Sequence, residues 1–184
     1  MLPALRTPRL ALRPAAAGDL DALWALWTEP SVRRFLWDDR IVERDEAAAT
    51  LAECVALAER GLGLWLVHPL AADAEAPAPD EPVGCAALLP VSTAADFEPR
   101  LAGLVEPLVA LHPRAWGRGY AAEALAAAQR HAVEALGLDR LAGVTDVPNL
   151  ASDRMLRRAG FVPLGECAGP RHPLRTYVWR APRR

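Results

Sequence analysis

The stretch HPRAWGRGYAAEAL, residues 112–125, sets two glycines and an arginine between an apolar run and an alanine-rich run. Alanine-rich sequence predicts a helix, yet no Ser, Thr, Asp or Asn stands at its start. The first four N–H groups of a helix lack intrahelical partners, so an uncapped start leaves donors for water or for an anion. Gly117 and Gly119 let the main chain turn without Cβ hindrance and approach a ligand closely. Successive N–H groups and the helix dipole favour negative charge at that spot, and a pyrophosphate suits it. A purely steric turn is the other use of the same glycines. A P-loop requires Gly-Lys-Ser/Thr, which a chain without lysine does not contain, and the dinucleotide fingerprint requires a third glycine where Ala122 stands.

The remaining reactive residue types define the setting. Cys54, Cys85 and Cys167 are odd in number and widely spaced, which suits a reducing cytoplasm rather than a disulfide framework. His68, His112, His131 and His172 form no metal-ligand spacing with them, and no metal is assigned. With 21 basic residues, all arginine, against 23 acidic ones, the formal net charge is -2. No positive excess draws the chain to nucleic acid or an anionic membrane. No leader-like segment opens it, and no apolar run reaches the ~18 residues of a membrane span. The expectation is a soluble cytoplasmic protein in which residues 1–184 form a single domain.

The elements that position the loop are read from periodicity. Strands are expected at residues 8–15, 62–70, 82–91, 103–113, 140–147, 161–169 and 174–181, and helices at 18–27, 43–60, 121–137 and 149–160. Trp24 and Trp27 share the apolar face of the first helix and are read as core. Residues 71–82, rich in Ala, Pro and acid, read as a solvated hairpin loop, and a polar link spans 92–100. The result is an α+β, mixed α/β domain around one sheet of about seven strands and four helices. Pro107 stands out, since a proline in a central strand removes a ladder donor; it marks either the splay or a bulge.

VEPLVALHPRAWGRGYAAEAL, followed about thirty residues later by NLASDRMLRRAGF, resembles the GNAT superfamily of acyl-CoA-dependent N-acetyltransferases, in its RimJ/RimL-like branch. The opening TPRLALRPAAAGDLDAL matches that branch as well. The family's Gln/Arg-x-x-Gly-x-Gly/Ala loop maps onto Trp116, Gly117, Arg118, Gly119, Tyr120 and Ala121, with Trp116 departing from the general pattern. The resemblance implies a mostly antiparallel sheet whose fourth and fifth strands, residues 103–113 and 140–147, splay around acetyl-CoA. It implies that Val109, Ala110 and Leu111 line the pantetheine arm and that residues 117–122, through Ala122, hold the pyrophosphate. Asn149 occupies a position that contacts CoA in relatives; it also suits a helix cap, and one residue does both. Arg114 and Arg118 are secondary phosphate candidates.

Acetyl transfer to an amine requires a neutral amine, a polarised carbonyl and a stabilised leaving thiolate. A peptide α-amine, with a pKa of ~7.7–8.0, needs less help than a lysine at ~10.4. Under the resemblance Glu106 is the first candidate base and Asp146 the second, with an ordinary solvated carboxylate as the alternative for each. Leu156 stands where many members carry an acidic tyrosine, so Ser152 becomes the candidate donor to the sulfur, or else only satisfies backbone groups in a first helical turn. The implied acceptor is an amine of a small molecule or a protein N-terminus, Glu29, Asp38, Asp39 and Glu106 are candidates for an acidic acceptor cleft, and homodimerisation is admitted. Two other classes stay open: a catalytically silent acyl-CoA-binding or sensor domain, and a structural module using the tryptophan-bearing first helix as a partner surface.

Overall fold

The computed structural model describes residues 1–70, 81–91 and 98–182. Most of the expected hairpin loop, residues 71–80, and residues 92–97 of the polar link lie outside the described residues. The elements run β1 (Leu5–Arg6), β2 (Leu10–Pro14), α1 (Leu20–Thr28), α2 (Pro30–Leu36), α3 (Arg44–Ala56), β3 (Gly63–Pro69), β4 (Gly84–Pro90), β5 (Val105–Leu111), α4 (Tyr120–Glu134), β6 (Arg140–Asp146), α5 (Leu150–Arg158), β7 (Val162–Cys167) and β8 (Leu174–Arg180).

The mixed α/β architecture is as expected, and each of the seven expected strands is present. The two-residue β1 is an addition, and so is α2, in a stretch where no element was expected. The signal for α2 was present: Pro30 sits at its first turn, behind Glu29, whose side chain accepts from the Ser31 amide. The expected helix over 43–60 ends its α-helical part at Ala56, tightens to a 3-10 turn at Leu57–Arg60 and stops at Gly61 with φ +70°.

The sheet is divided. One part has the order β1-β2-β3-β4-β5 and the other β6-β8-β7, with every ladder antiparallel. β5 and β6 lie side by side without a ladder between them, so the expected single sheet breaks at the junction expected to splay.

Alternation along the strands builds two cores. Leu64 and Leu66 of β3 with Cys85 and Ala87 of β4 face α1, α2 and α3, whereas Trp65, Val67, Ala86 and Leu88 face α4. Trp27 is buried, and the Trp24 indole donates to the Val42 carbonyl at 2.9 Å, so the first helix spends its tryptophans inside the fold. α4 turns Ala124, Ala127, Ala128 and Ala132 inward, small residues that let it lie close beneath both parts of the sheet. No helix among the described residues is long and apolar enough to cross a membrane.

Candidate active site

The gap between β5 and β6 is lined by main chain. The Val91 amide donates to the Leu104 carbonyl at 3.0 Å and the His112 amide to the Val83 carbonyl at 2.8 Å, with unbroken register between them. Backbone groups alternate in direction along a strand. Even-numbered residues of β5 therefore face β4, and Val105, Pro107, Val109 and Leu111 face the gap. Pro107 sits in a non-hydrogen-bonded pair with Leu88 in unbroken register, so its missing N–H breaks no rung and it marks the splay rather than a bulge. Of the three residues expected along the pantetheine arm, Val109 and Leu111 turn their backbone to the gap. Ala110 is instead bonded into the ladder opposite Cys85. On β6 the flanking bonds Val147 to Pro173 and Ala181 to Asp139, both 2.9 Å, place Ala142, Val144 and Asp146 on the gap side by the same parity.

Past β5 the chain makes the 3-10 turn Pro113–Ala115 and enters the glycine loop. The Trp116 indole donates to the Leu111 carbonyl at 2.6 Å, which pins the loop to the strand edge while leaving the ring half exposed. Gly117 and Gly119 have φ of +77° and +79°, the left-handed region that favours glycine. Gly119 is the N-cap of α4 and supplies no capping side chain. Among the described residues no protein acceptor takes the amides of Gly117, Gly119, Ala121 or Ala122. A Cβ on Gly117 would meet nothing within 4 Å, whereas one on Gly119 would meet Arg9 NH2 at 3.4 Å, so the space is open beside Gly117 and bordered by a cation beside Gly119.

One support of this loop was invisible in the sequence. Arg9 binds Glu123 through its backbone amide at 2.9 Å and its Nε at 2.8 Å, and donates from NH1 to the Arg118 carbonyl at 2.9 Å. Its guanidinium also lies 5.2 Å from the Tyr120 ring centroid. Arg9 and Glu123 are 114 residues apart, beyond any local pattern. Arg114, a secondary phosphate candidate, forms an ion pair with Glu81 at 2.9 Å.

α5 starts differently. Asn149 Oδ1 accepts from the Ser152 amide at 3.2 Å, so Asn149 is a helix cap. Ser152 is half-buried. Leu156, at the position of the family's tyrosine, is buried in the core beneath α4.

The two candidate bases occupy different strands. Glu106 shares its face of β5 with Leu108 and Ala110, which pack toward α1, α2 and α3. Burial alone raises its carboxyl to about 7. Asp146, 7% exposed at the end of β6, is raised chiefly by burial, and His172 and Arg171 pull it back. The other expected acceptor acids are partly engaged. Asp39 lies 3.0 Å from Arg33 and 3.1 Å from Arg171, and Glu29 caps α2. Asp38 is exposed with φ +52°.

Residues 9–162 match the acetyltransferase (GNAT) domain family. The chain belongs to the GNAT acetyltransferases. It is 30% identical over 162 residues to an FsC-acetyl coenzyme A-N(2)-transacetylase of Aspergillus fumigatus, matching 86% of this chain and 65% of that protein. This GNAT chain thus spans about two thirds of that relative's length. Among solved structures, a GNAT-family acetyltransferase from Bordetella pertussis superposes with TM-score 0.79 at 22% identity, over 96% of this chain and 99% of that one. RimL, a ribosomal-protein α-N-acetyltransferase in complex with coenzyme A, superposes with TM-score 0.74 at 18% identity, over 97% and 98%. At such identities the structural likeness establishes the fold. Family membership supports acetyl transfer from acetyl-CoA to an amine.

Proposed function

We propose that this GNAT chain is an acetyl-CoA-dependent N-acetyltransferase of RimJ/RimL-like type, acting on a primary amine of a protein N-terminus or a small molecule. The observation that carries the reading is the set of unengaged amides at Gly117, Gly119, Ala121 and Ala122, at the start of a 15-residue helix and next to an open strand edge. These donors, with the helix dipole behind them, fit a diphosphate. Val109 and Leu111 present edge groups to the pantetheine amides; Leu111 offers only its N–H, because Trp116 occupies its carbonyl. Trp116 holds the loop, Arg118 and Tyr120 complete it, and Asn149 joins its cap role to a contact with the carrier.

Acetyl-CoA, when bound, supplies the acetyl group as an activated thioester. Glu106, with its carboxyl near neutrality, accepts a proton from the incoming ammonium directly or through water. Asp146 is the second candidate for that step. Ser152 Oγ donates its hydroxyl hydrogen toward the sulfur, in the role that Leu156 does not perform. Positioning within the gap supplies much of the remaining acceleration.

Leu156 in the core favours a second reading, an acyl-CoA-binding domain without turnover. Calorimetry with CoA followed by assay of free CoA released with a panel of amines tests both. Heat with release supports the enzyme, heat without release supports the silent domain, and no heat removes both.

A further inference from the structure

α5 holds two candidate site residues on slender support. It has nine residues, fewer than the ~12–15 at which an isolated helix becomes even marginal in water, and Leu156 is its one buried residue. In the first turn Leu150 is 58% exposed and Ala151 is exposed. Among the described residues neither Leu150 nor Ala151 packs into a hydrophobic core that would set the rotation of the turn about the helix axis.

A polar contact does. Asp153, 13% exposed at its side chain, accepts from Arg175 NH1 at 2.9 Å and from Arg157 Nε at 3.1 Å. The Tyr177 hydroxyl donates to the same Oδ1 that Arg175 reaches. Tyr177 is fully buried on β8, the middle strand of the second sheet, opposite Gly143 and Pro163. Arg175 is braced in turn by Glu166 at 2.6 Å. The Tyr177 hydrogen bond first, then Arg175, holds the Asp153 carboxyl down to about 2, so the anchor stays charged throughout the neutral range. Asp153 directly follows Ser152, and its amide donates to the Asn149 carbonyl at 3.1 Å.

We propose that Tyr177 and Asp153 are positioning residues: the partly buried Tyr177–Asp153–Arg175 contact fixes the rotation of the first turn of α5 and aims Asn149 and Ser152 at the gap between β5 and β6. The proposal rests on the roles given to Asn149 and Ser152 above. Tyr177 is fully buried, so it acts through the turn.

The test is a double-mutant cycle on the full chain. Tyr177→Phe and Ser152→Ala are each expected to lower kcat about tenfold, and the double variant to lower it about tenfold rather than a hundredfold, because removing the hydroxyl makes its aim irrelevant. Melting temperatures of the two changes should simply add. Multiplied kcat losses, or no loss from Tyr177→Phe, would overturn the proposal. If Ser152→Ala leaves kcat unchanged, the donor role of Ser152 falls, and the positioning claim is decided by CoA affinity with Asn149→Ala in its place. There the loss caused by Tyr177→Phe must vanish in the Asn149→Ala background, and its persistence rejects the claim. Asp153→Asn, which retains one acceptor oxygen, replaces Tyr177→Phe should the latter not fold, and is read by the same criteria.

Discussion

α4 and α5 each begin just beyond a strand that borders the gap, and they begin in opposite ways. α4 starts on Gly119 with no side chain over its amides, whereas α5 starts on Asn149, whose Oδ1 covers the Ser152 amide. A free helix start is a cost to folding unless something takes the donors. α4 tolerates it because its buried alanines, with Leu125 and Tyr120, anchor it beneath both parts of the sheet. The nine-residue α5 has one buried anchor and needs its cap. The difference divides labour: the long helix is stable enough to leave its start for a ligand, and the short one must satisfy itself while presenting side chains.

If binding belongs to the start of α4 and proton transfer to side chains elsewhere, Glu106→Gln should give the largest loss, kcat falling about a thousandfold with CoA affinity unchanged in calorimetry. In the parent protein kcat/KM should rise with pH through about 7 as Glu106 ionises, and the variant should lose that rise. Stability carries the opposite sign. The folded carboxyl titrates near 7 against an ordinary 4.5, so between those values the folded state keeps a proton that the unfolded state has lost. Stability should therefore decline by about 3 kcal/mol as pH rises across the window. Denaturant melts of Glu106→Gln should show that decline abolished.

Gly117→Asp attacks the comparison itself by supplying α4 with the carboxylate it lacks. Asp tolerates positive φ better than most residues, and the space beside Gly117 is open. CoA affinity should fall about a hundredfold, or roughly 3 kcal/mol, while stability falls only by the ~1 kcal/mol that a side chain at positive φ costs. An unchanged dissociation constant would end the assignment of the anion to this loop. Asn149→Ala makes the converse change, uncapping α5. It should cost about 1 kcal/mol of stability and about tenfold in CoA affinity, and a loss of stability alone would leave Asn149 a cap and nothing more. Arg9→Ala should have the smallest effect, about threefold in CoA affinity and under ~1 kcal/mol in stability, because its guanidinium is partly exposed.

Much of this was legible in the sequence wherever the cause was local. Gly117 and Gly119 announced a turn free of Cβ hindrance, the absence of a capping side chain before Tyr120 announced free amides, and the apolar runs of β3 and β4 announced paired strands. Asn149 was readable as a cap. Local reasoning left Pro107 between a splay and a bulge, since whether a missing N–H matters depends on which edge it faces, and that follows from the pairing partner rather than from the residue. The family resemblance grouped Val109, Ala110 and Leu111, although alternate residues of one strand address different neighbours.

What the chain order determined by itself is therefore the set of elements and the turn chemistry between them, because hydrophobic period, glycine and proline act over a few residues. Tertiary structure decided the rest. The break between β5 and β6, the Arg9–Glu123 clamp on the loop, the Tyr177–Asp153 anchor under α5 and the burial that lifts Glu106 toward neutrality all join residues far apart in the chain. Their energies depend on distance and on exclusion of water, and both exist only once the two parts of the sheet have closed on α4.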